Sequence, residues 1–127
     1  MKKILFSSGL TSSSLYSHGI KVDNTIYLSG IVAFDPITKK VETRSVDEQT
    51  EQALRNCEKI LLEGGASLKA VVQAIVLLKN SGDFDGMNAA HSAIFSGDSL
   101  PARAVTKLGV DVPNIMVSIM MTAVVST

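Results

Sequence analysis

Ser96-Gly-Asp-Ser-Leu-Pro-Ala-Arg-Ala-Val105 is the stretch on which the reading of this chain turns. Pro101 fixes its own φ and pushes Leu100 out of helical space, so whatever precedes it must stop there and run out extended. Arg103 then falls at the start of a strand, followed by the β-compatible run Ala104 to Leu108, with Asp98 the nearest carboxylate in sequence. Two readings of Arg103 are open. It is a solvated side chain lying along apolar surface, or a clamp for a carboxylate or phosphate, whose oxygens match the planar guanidinium fork.

Working outward, the residues after Arg103 turn at Val112-Pro113-Asn114, and Ile115 to Val125 is the longest β-like stretch of the chain. Alternation puts Val117, Ile119, Met121 and Ala123 on one face and Met116, Ser118, Met120 and Thr122 on the other. The first set belongs against helices. The second is apolar enough to call for cover by another subunit. Upstream of Pro101, Asp83 caps a helix whose Phe84, Met87, His91, Ile94 and Phe95 share a face, which makes His91 a packed, hydrogen-bonded residue. Val72 to Leu78 reads as a central strand, preceded by a helical turn over Ser67 to Val71.

An earlier helix opens on Ser45-Val-Asp-Glu48, a capping box in which Ser45 accepts from the third helical N–H and Glu48 reaches back. Ala53, Leu54, Cys57, Ile60 and Leu61 form its buried stripe, and Gly64-Gly65 supplies the left-handed stop. Before it, Lys2 to Phe6 reads as a strand and 7–14 as a serine-rich loop. Leu15 to Val22 and Thr25 to Ser29 form a hairpin about Asp23-Asn24, and Gly30 follows at its end, where the lack of a Cβ would allow a close approach by a ligand or neighbouring strand. Asp35-Pro36 and Thr38-Lys39-Lys40 mark a surface turn.

Composition narrows the function. The 127 residues suffice for one domain, 1–127; 46% are hydrophobic and 19% charged, which excludes disorder. Twelve basic residues balance twelve acidic ones, and tryptophan is absent, which argues against a nucleic-acid surface. The single Cys57 cannot form an internal disulfide and sits in the apolar stripe as a structural thiol. No metal-ligand spacing appears, and no cofactor is called for. The apolar start, Ile4-Leu-Phe6, is too short for a secretory segment and no run reaches spanning length, so the expectation is a cytoplasmic protein that does not enter a membrane.

Tyr16-Ser17, Leu28-Ser29-Gly30, Gln52 with Asn56, Ile60-Leu61, Asn88 and Pro101-Ala102-Arg103, in this order, resemble the Rid family of reactive intermediate deaminases, also called YjgF or L-PSP. The resemblance covers almost the whole chain. It implies a chorismate-mutase-like α+β fold with a mixed six-stranded sheet and two helices on one face. It also implies a homotrimer with three clefts between subunits. The implied activity is hydrolysis of 2-imino acids such as 2-iminobutanoate and 2-iminopropanoate to the 2-oxo acid and ammonia. By the same resemblance Arg103 is the catalytic clamp for the substrate carboxylate. Tyr16, Ser29 and Gly30 line the cleft, Val105 offers a backbone N–H, and Asn88 shapes the pocket, although Asn88 also reads as a plain helix-edge residue.

The chain departs from the family pattern in three places. Many members carry an Ile-Glu-Ile-Glu type of last strand, whose second glutamate orients the attacking water; here Met120 stands there and Ser118 at the first. No carboxylate occurs between Asn114 and Thr127. Ser14-Leu15 replaces the usual Gly-Pro before the tyrosine, and Ile31 a polar residue. Three functions therefore compete: a deaminase that finds its water another way, a binder of small carboxylates without turnover, and an L-PSP-type ribonuclease or translation inhibitor, which the charge balance supports least.

Overall fold

The computed structural model describes residues 2–5, 15–42, 44–98 and 100–126. In chain order the elements are β1 (Lys2–Leu5), β2 (Gly19–Val22), β3 (Thr25–Leu28), α1 (Val46–Glu63), β4 (Val71–Leu78), α2 (Phe84–Ile94), β5 (Ala102–Lys107) and β6 (Val117–Val124). Short 3-10 turns, Leu68–Ala70 and Ser81–Asp83, precede β4 and α2. The serine-rich stretch 7–14 lies outside the described residues.

Six strands form one sheet in the order β1-β2-β3-β6-β4-β5. Every pairing is antiparallel except β4 with β5. The fold is therefore the expected α+β arrangement, a mixed six-stranded sheet with two helices. The parallel pair follows from connectivity: a crossover through α2 returns the chain in the same direction.

Sequence parity sets the two faces of this sheet. Val117, Ile119, Met121 and Ala123 are all buried, as are Ala74, Val76 and Leu78 beside them on β4. Against them α1 turns Ala53, Leu54, Cys57, Ile60 and Leu61, each fully buried. Burying the valine, leucine, isoleucine and methionine side chains among these contributes roughly 1.5–3 kcal/mol apiece, so this seam holds the domain together. The opposite face keeps large apolar side chains in the open, among them Ile4 (62% exposed), Tyr27 (52%) and Met120 (38%).

Helix ends explain where the elements stop. Gly65 takes the left-handed φ of +79°, the Gly65 N–H donates to Leu62 O and the Ala66 N–H to Leu61 O, so two terminal carbonyls of α1 are satisfied. The Lys21 ammonium donates to Gly64 O at 2.7 Å, placing a cation at the negative helix end. At the other end the capping box is not formed. Ser45 is the N-cap, but its hydroxyl donates to the Glu48 carboxylate at 2.9 Å instead of accepting from the helix. Asp83 likewise caps α2 by position alone, with no side-chain bond, because the 3-10 turn before it already carries near-helical backbone.

Three other differences from expectation have local causes. The first hairpin strand begins only at Gly19, and upstream of it the Ser29 hydroxyl donates to Ser17 O at 2.6 Å. Val72 is a bulge residue: the β4–β6 register steps between Val71 and Gln73, so Val72 faces solvent. Phe84 remains exposed at the first residue of α2, beside the open edge of β5.

Candidate functional site

Two buried amides of α1 hold the segments that frame the candidate site. Asn56 Nδ2 donates to Val32 O at 3.0 Å and to Phe34 O at 2.9 Å, while its Oδ1 accepts from Gln52 at 2.9 Å. Gln49 Nε2 donates to Glu42 O and Asn114 O, and its Oε1 accepts from the Met116 N–H. These side chains replace ladder bonds for chain that belongs to no strand, as buried backbone groups require. Gln52 and Asn56 thus support the site from behind.

The segments so held enclose a cavity of about 350 Å³. Tyr16, His18, Gly30 and Ser118 give it a polar side, and Val32, Phe34, Val110, Val112 and Ile115 an apolar one. Gly30 is a steric requirement here, because a Cβ on it would lie 2.7 Å from Ser118 Oγ. The segment after it is pinned to β6 by reciprocal bonds between Ile31 and Ile119 at 2.8 Å. Ser29 sits behind the cavity: its hydroxyl and N–H bind the carbonyls of Ser17 and His18 and so fix the approach of Tyr16. Tyr16 and His18 meet edge to face at 5.9 Å.

Arg103 is elsewhere. In the parallel register it stands beside Ala74, and Val105 beside Val76, both of which belong to the helix-bearing face. Met120 and Ser118 pair with Ile75 and Leu77 and project from the opposite face. With β4 between β5 and β6, Arg103 and Met120 are two strand spacings apart, roughly 10 Å, and point to opposite sides. One chain therefore brings together Tyr16, Gly30 and Ser118, carries Met120 on the same sheet face, and sets Asn88, Arg103 and Val105 apart from them.

Arg103 is exposed, and among the described residues no carboxylate lies within ion-pair distance of it. The Leu108 N–H, three residues after Val105, donates inward to Leu78 O. Since successive N–H groups of a strand alternate in direction, that of Val105 points to the open edge of the sheet. On α2, Asn88 and His91 are one turn apart, and Asn88 Oδ1 and His91 Nε2 are buried with no hydrogen-bond partner among the described residues. Burial and the positive charge of Arg103 depress the imidazole of His91 to a pKa of about 4. The packing expected of His91 is present, but the hydrogen bond at Nε2 is not.

Cys57 is fully buried in α1, and burial pushes its thiol far above the usual range, consistent with a structural role. Among the described residues no group of three or more His, Cys, Asp or Glu side chains could hold a metal. Among the same residues no helix is long and apolar enough to cross a membrane.

The family model described as Endoribonuclease L-PSP matches residues 6–125. The chain belongs to the Rid family, also called YjgF or L-PSP. Among curated Rid relatives, a RutC family protein of Pyrococcus abyssi is 42% identical over 93 residues, 73% of this chain and 72% of that protein. The 2-iminobutanoate/2-iminopropanoate deaminase of Mus musculus is 42% identical over 89 residues, 70% of this chain and 65% of the mouse protein. The solved structure of a candidate endoribonuclease from Thermotoga maritima superposes with a TM-score of 0.91 at 30% identity, each chain covered in full.

Sequence reading did not find His18, Val110, Val112 or Ile115 as cavity residues. Each lies in irregular chain, where no periodicity marks a face. Nor did it give His91 more than a packing role, although its spacing of three from Asn88 places both on one side of a helix.

Proposed function

We propose that this Rid protein acts on 2-imino acids at sites completed by a second copy of the chain, as a homotrimer with three such sites. The observation that carries this reading is the exposed Arg103, with no carboxylate of its own among the described residues, at a strand edge beside polar atoms that lack partners. A guanidinium so placed suits a planar carboxylate in two-pronged contact. The Val105 N–H adds a donor, and Asn88 borders the same space. A neighbouring copy supplies Tyr16, Gly30, Ser118 and Met120 across the cleft. The exposed apolar sheet face supplies the contact, since patches of this kind mark association surfaces.

Hydrolysis adds water to the imine carbon, moves both of its protons in turn to the nitrogen, and releases ammonia as the carbon–nitrogen bond breaks and the carbonyl forms. The protein holds the acid by its carboxylate and excludes unproductive poses. Met120 cannot take a proton, so on this reading the imine nitrogen itself takes the proton from the attacking water. Turnover is accordingly weak. The mouse relative's name and the family resemblance favour the deaminase; the lack of any carboxylate on β6 favours a second reading, a binder of small carboxylates using the same cleft.

The deciding experiment follows 2-iminobutanoate hydrolysis against the spontaneous rate, with 2-oxobutanoate binding measured in parallel. A rate above background that disappears in Arg103→Ala supports the deaminase. Binding without any rate supports the carboxylate binder. Neither binding nor rate refutes both.

A further inference from the structure

We propose that His91 is a further ligand-positioning residue of the Arg103 site, holding through its Nε2 the carboxylate that Arg103 clamps. This rests on the reading that Arg103 takes a carboxylate.

Four observations converge on it. First, α2 carries Asn88 and His91 on one side; the helix packs against α1, and its Met87 joins the core with Val76 and Leu78, on the sheet face from which Arg103 projects. Second, His91 is only 6% exposed, yet its Nε2 has no partner among the described residues, and Asn88 Oδ1 shares that condition one turn away. Native proteins rarely leave buried polar atoms unpaired, and an incoming polar group is one way to complete them. Third, the charge of Arg103 reaches the imidazole, so the two lie in one electrostatic neighbourhood; no other charged group acts on it comparably. Burial and that charge keep the ring neutral, with one N–H to give and no second cation to repel Arg103. Fourth, the ring rests against Phe95 with centroids 4.8 Å apart, which limits its freedom and aims it.

A carboxylate seated on the guanidinium has lone pairs left after a two-pronged contact. With the neutral ring's one proton on Nε2, His91 offers a buried N–H in that neighbourhood to take that role. Without an anion the site is unfinished: a cation on one side and an unused imidazole nitrogen on the other. With one, both are satisfied by the same group.

The test is titration of the assembled full-length protein with 2-oxobutanoate by calorimetry, comparing wild type with His91→Phe, His91→Gln and Arg103→Ala. Phenylalanine keeps the ring and its contact with Phe95 but has no donor; glutamine carries an N–H close to the position of Nε2. A hydrogen bond to a charged group predicts a loss of roughly ten- to a hundredfold in His91→Phe. His91→Gln should stay within about threefold of wild type if one such bond is what matters. Should His91→Phe bind as wild type does while Arg103→Ala has lost binding, the clamp stands and the role of His91 is refuted. Equal losses in the phenylalanine and glutamine variants refute it also, because shape alone would then explain them. If wild type binds no 2-oxo acid, or Arg103→Ala binds unchanged, the Arg103 reading fails and this inference with it. Should His91→Phe not fold, the nitrogen-15 resonance of His91 Nε2 in wild type decides: a shift on adding 2-oxobutanoate supports the proposal, and an unmoved resonance overturns it.

Discussion

Replacing Asn56 by leucine should destabilise the protein by about 2 to 4 kcal/mol and loosen the cavity at the same time. The side chain is fully buried and uses both amide hydrogens, on Val32 O and Phe34 O. Val32 O keeps a second donor, the Phe34 N–H at 2.9 Å. Phe34 O keeps none among the described residues, and an unsatisfied buried acceptor costs about 1 to 3 kcal/mol, to which a lost ordinary bond adds about 1. At about 2.1 cal/mol/K per residue, a chain of 127 residues unfolds with roughly 0.27 kcal/mol/K, so the midpoint should fall by about 7 to 15 °C. Thermal melts of both proteins at one protomer concentration measure this, since association makes the midpoint depend on concentration. Val32 and Phe34 line the cavity, so carboxylate binding should weaken alongside stability. A midpoint shift below about 3 °C, under 1 kcal/mol on the same conversion, would refute the role given to Asn56.

Arg103→Lys should weaken 2-oxobutanoate binding by about tenfold or more despite the retained charge, because an ammonium cannot make two parallel bonds; equal affinity in calorimetry would remove the clamp. Met120→Glu should raise 2-iminobutanoate hydrolysis, with a ceiling of roughly a hundred- to ten-thousandfold; no gain in a folded, acid-binding variant would show that position 120 does not face the reacting carbon. His91 resists protonation when folded, so the unfolded chain takes up a proton first as pH falls. Stability should therefore drop between pH 6.5 and about 4, by up to about 3 kcal/mol, and His91→Phe should flatten that slope in denaturant melts. Cys57 should resist iodoacetamide until the protein is denatured, since its thiol is buried and held protonated; labelling of the native protein would contradict the packing of α1.

Features decided by neighbouring residues were legible in the sequence. The Gly64-Gly65 stop, the Asp23-Asn24 hairpin and the alternation along β6 each follow from local sterics or strand parity, and each is present, with Gly65, Asp23 and Asn114 taking positive φ. Features decided by distant partners were not. Ser45 heads a correct capping sequence, yet its hydroxyl donates to the Glu48 carboxylate instead of accepting from a helix N–H, and the sequence ranks neither bond above the other. Gln52 and Asn56 stood out as family-like residues, but the task of Asn56, binding carbonyls more than twenty positions earlier while Gln52 donates to its Oδ1, required the fold. The same holds for the site. Arg103 was visible as an unusual arginine, and Met120 as an unusual neighbour for chemistry. Their placement on opposite faces needed strand order as well as parity.

That placement bears on how such a site changes. If the clamp and position 120 belong to different copies, affinity for the acid depends on β5 and α2 of one chain, and activation of water on β6 of another. A substitution on β6 leaves the hold of Arg103 untouched. Met120 lies on an apolar face that association would cover, so methionine in place of a carboxylate removes a charge whose desolvation opposes assembly. On the proposed reading, methionine at position 120 lowers turnover while it favours, or at least spares, the contact on which the completed site would depend. If Arg103 binds and position 120 serves the water, binding and catalysis would be separable in this architecture, because the two residues sit on different faces of the same sheet, and a deaminase could become a carboxylate binder without rebuilding its cleft.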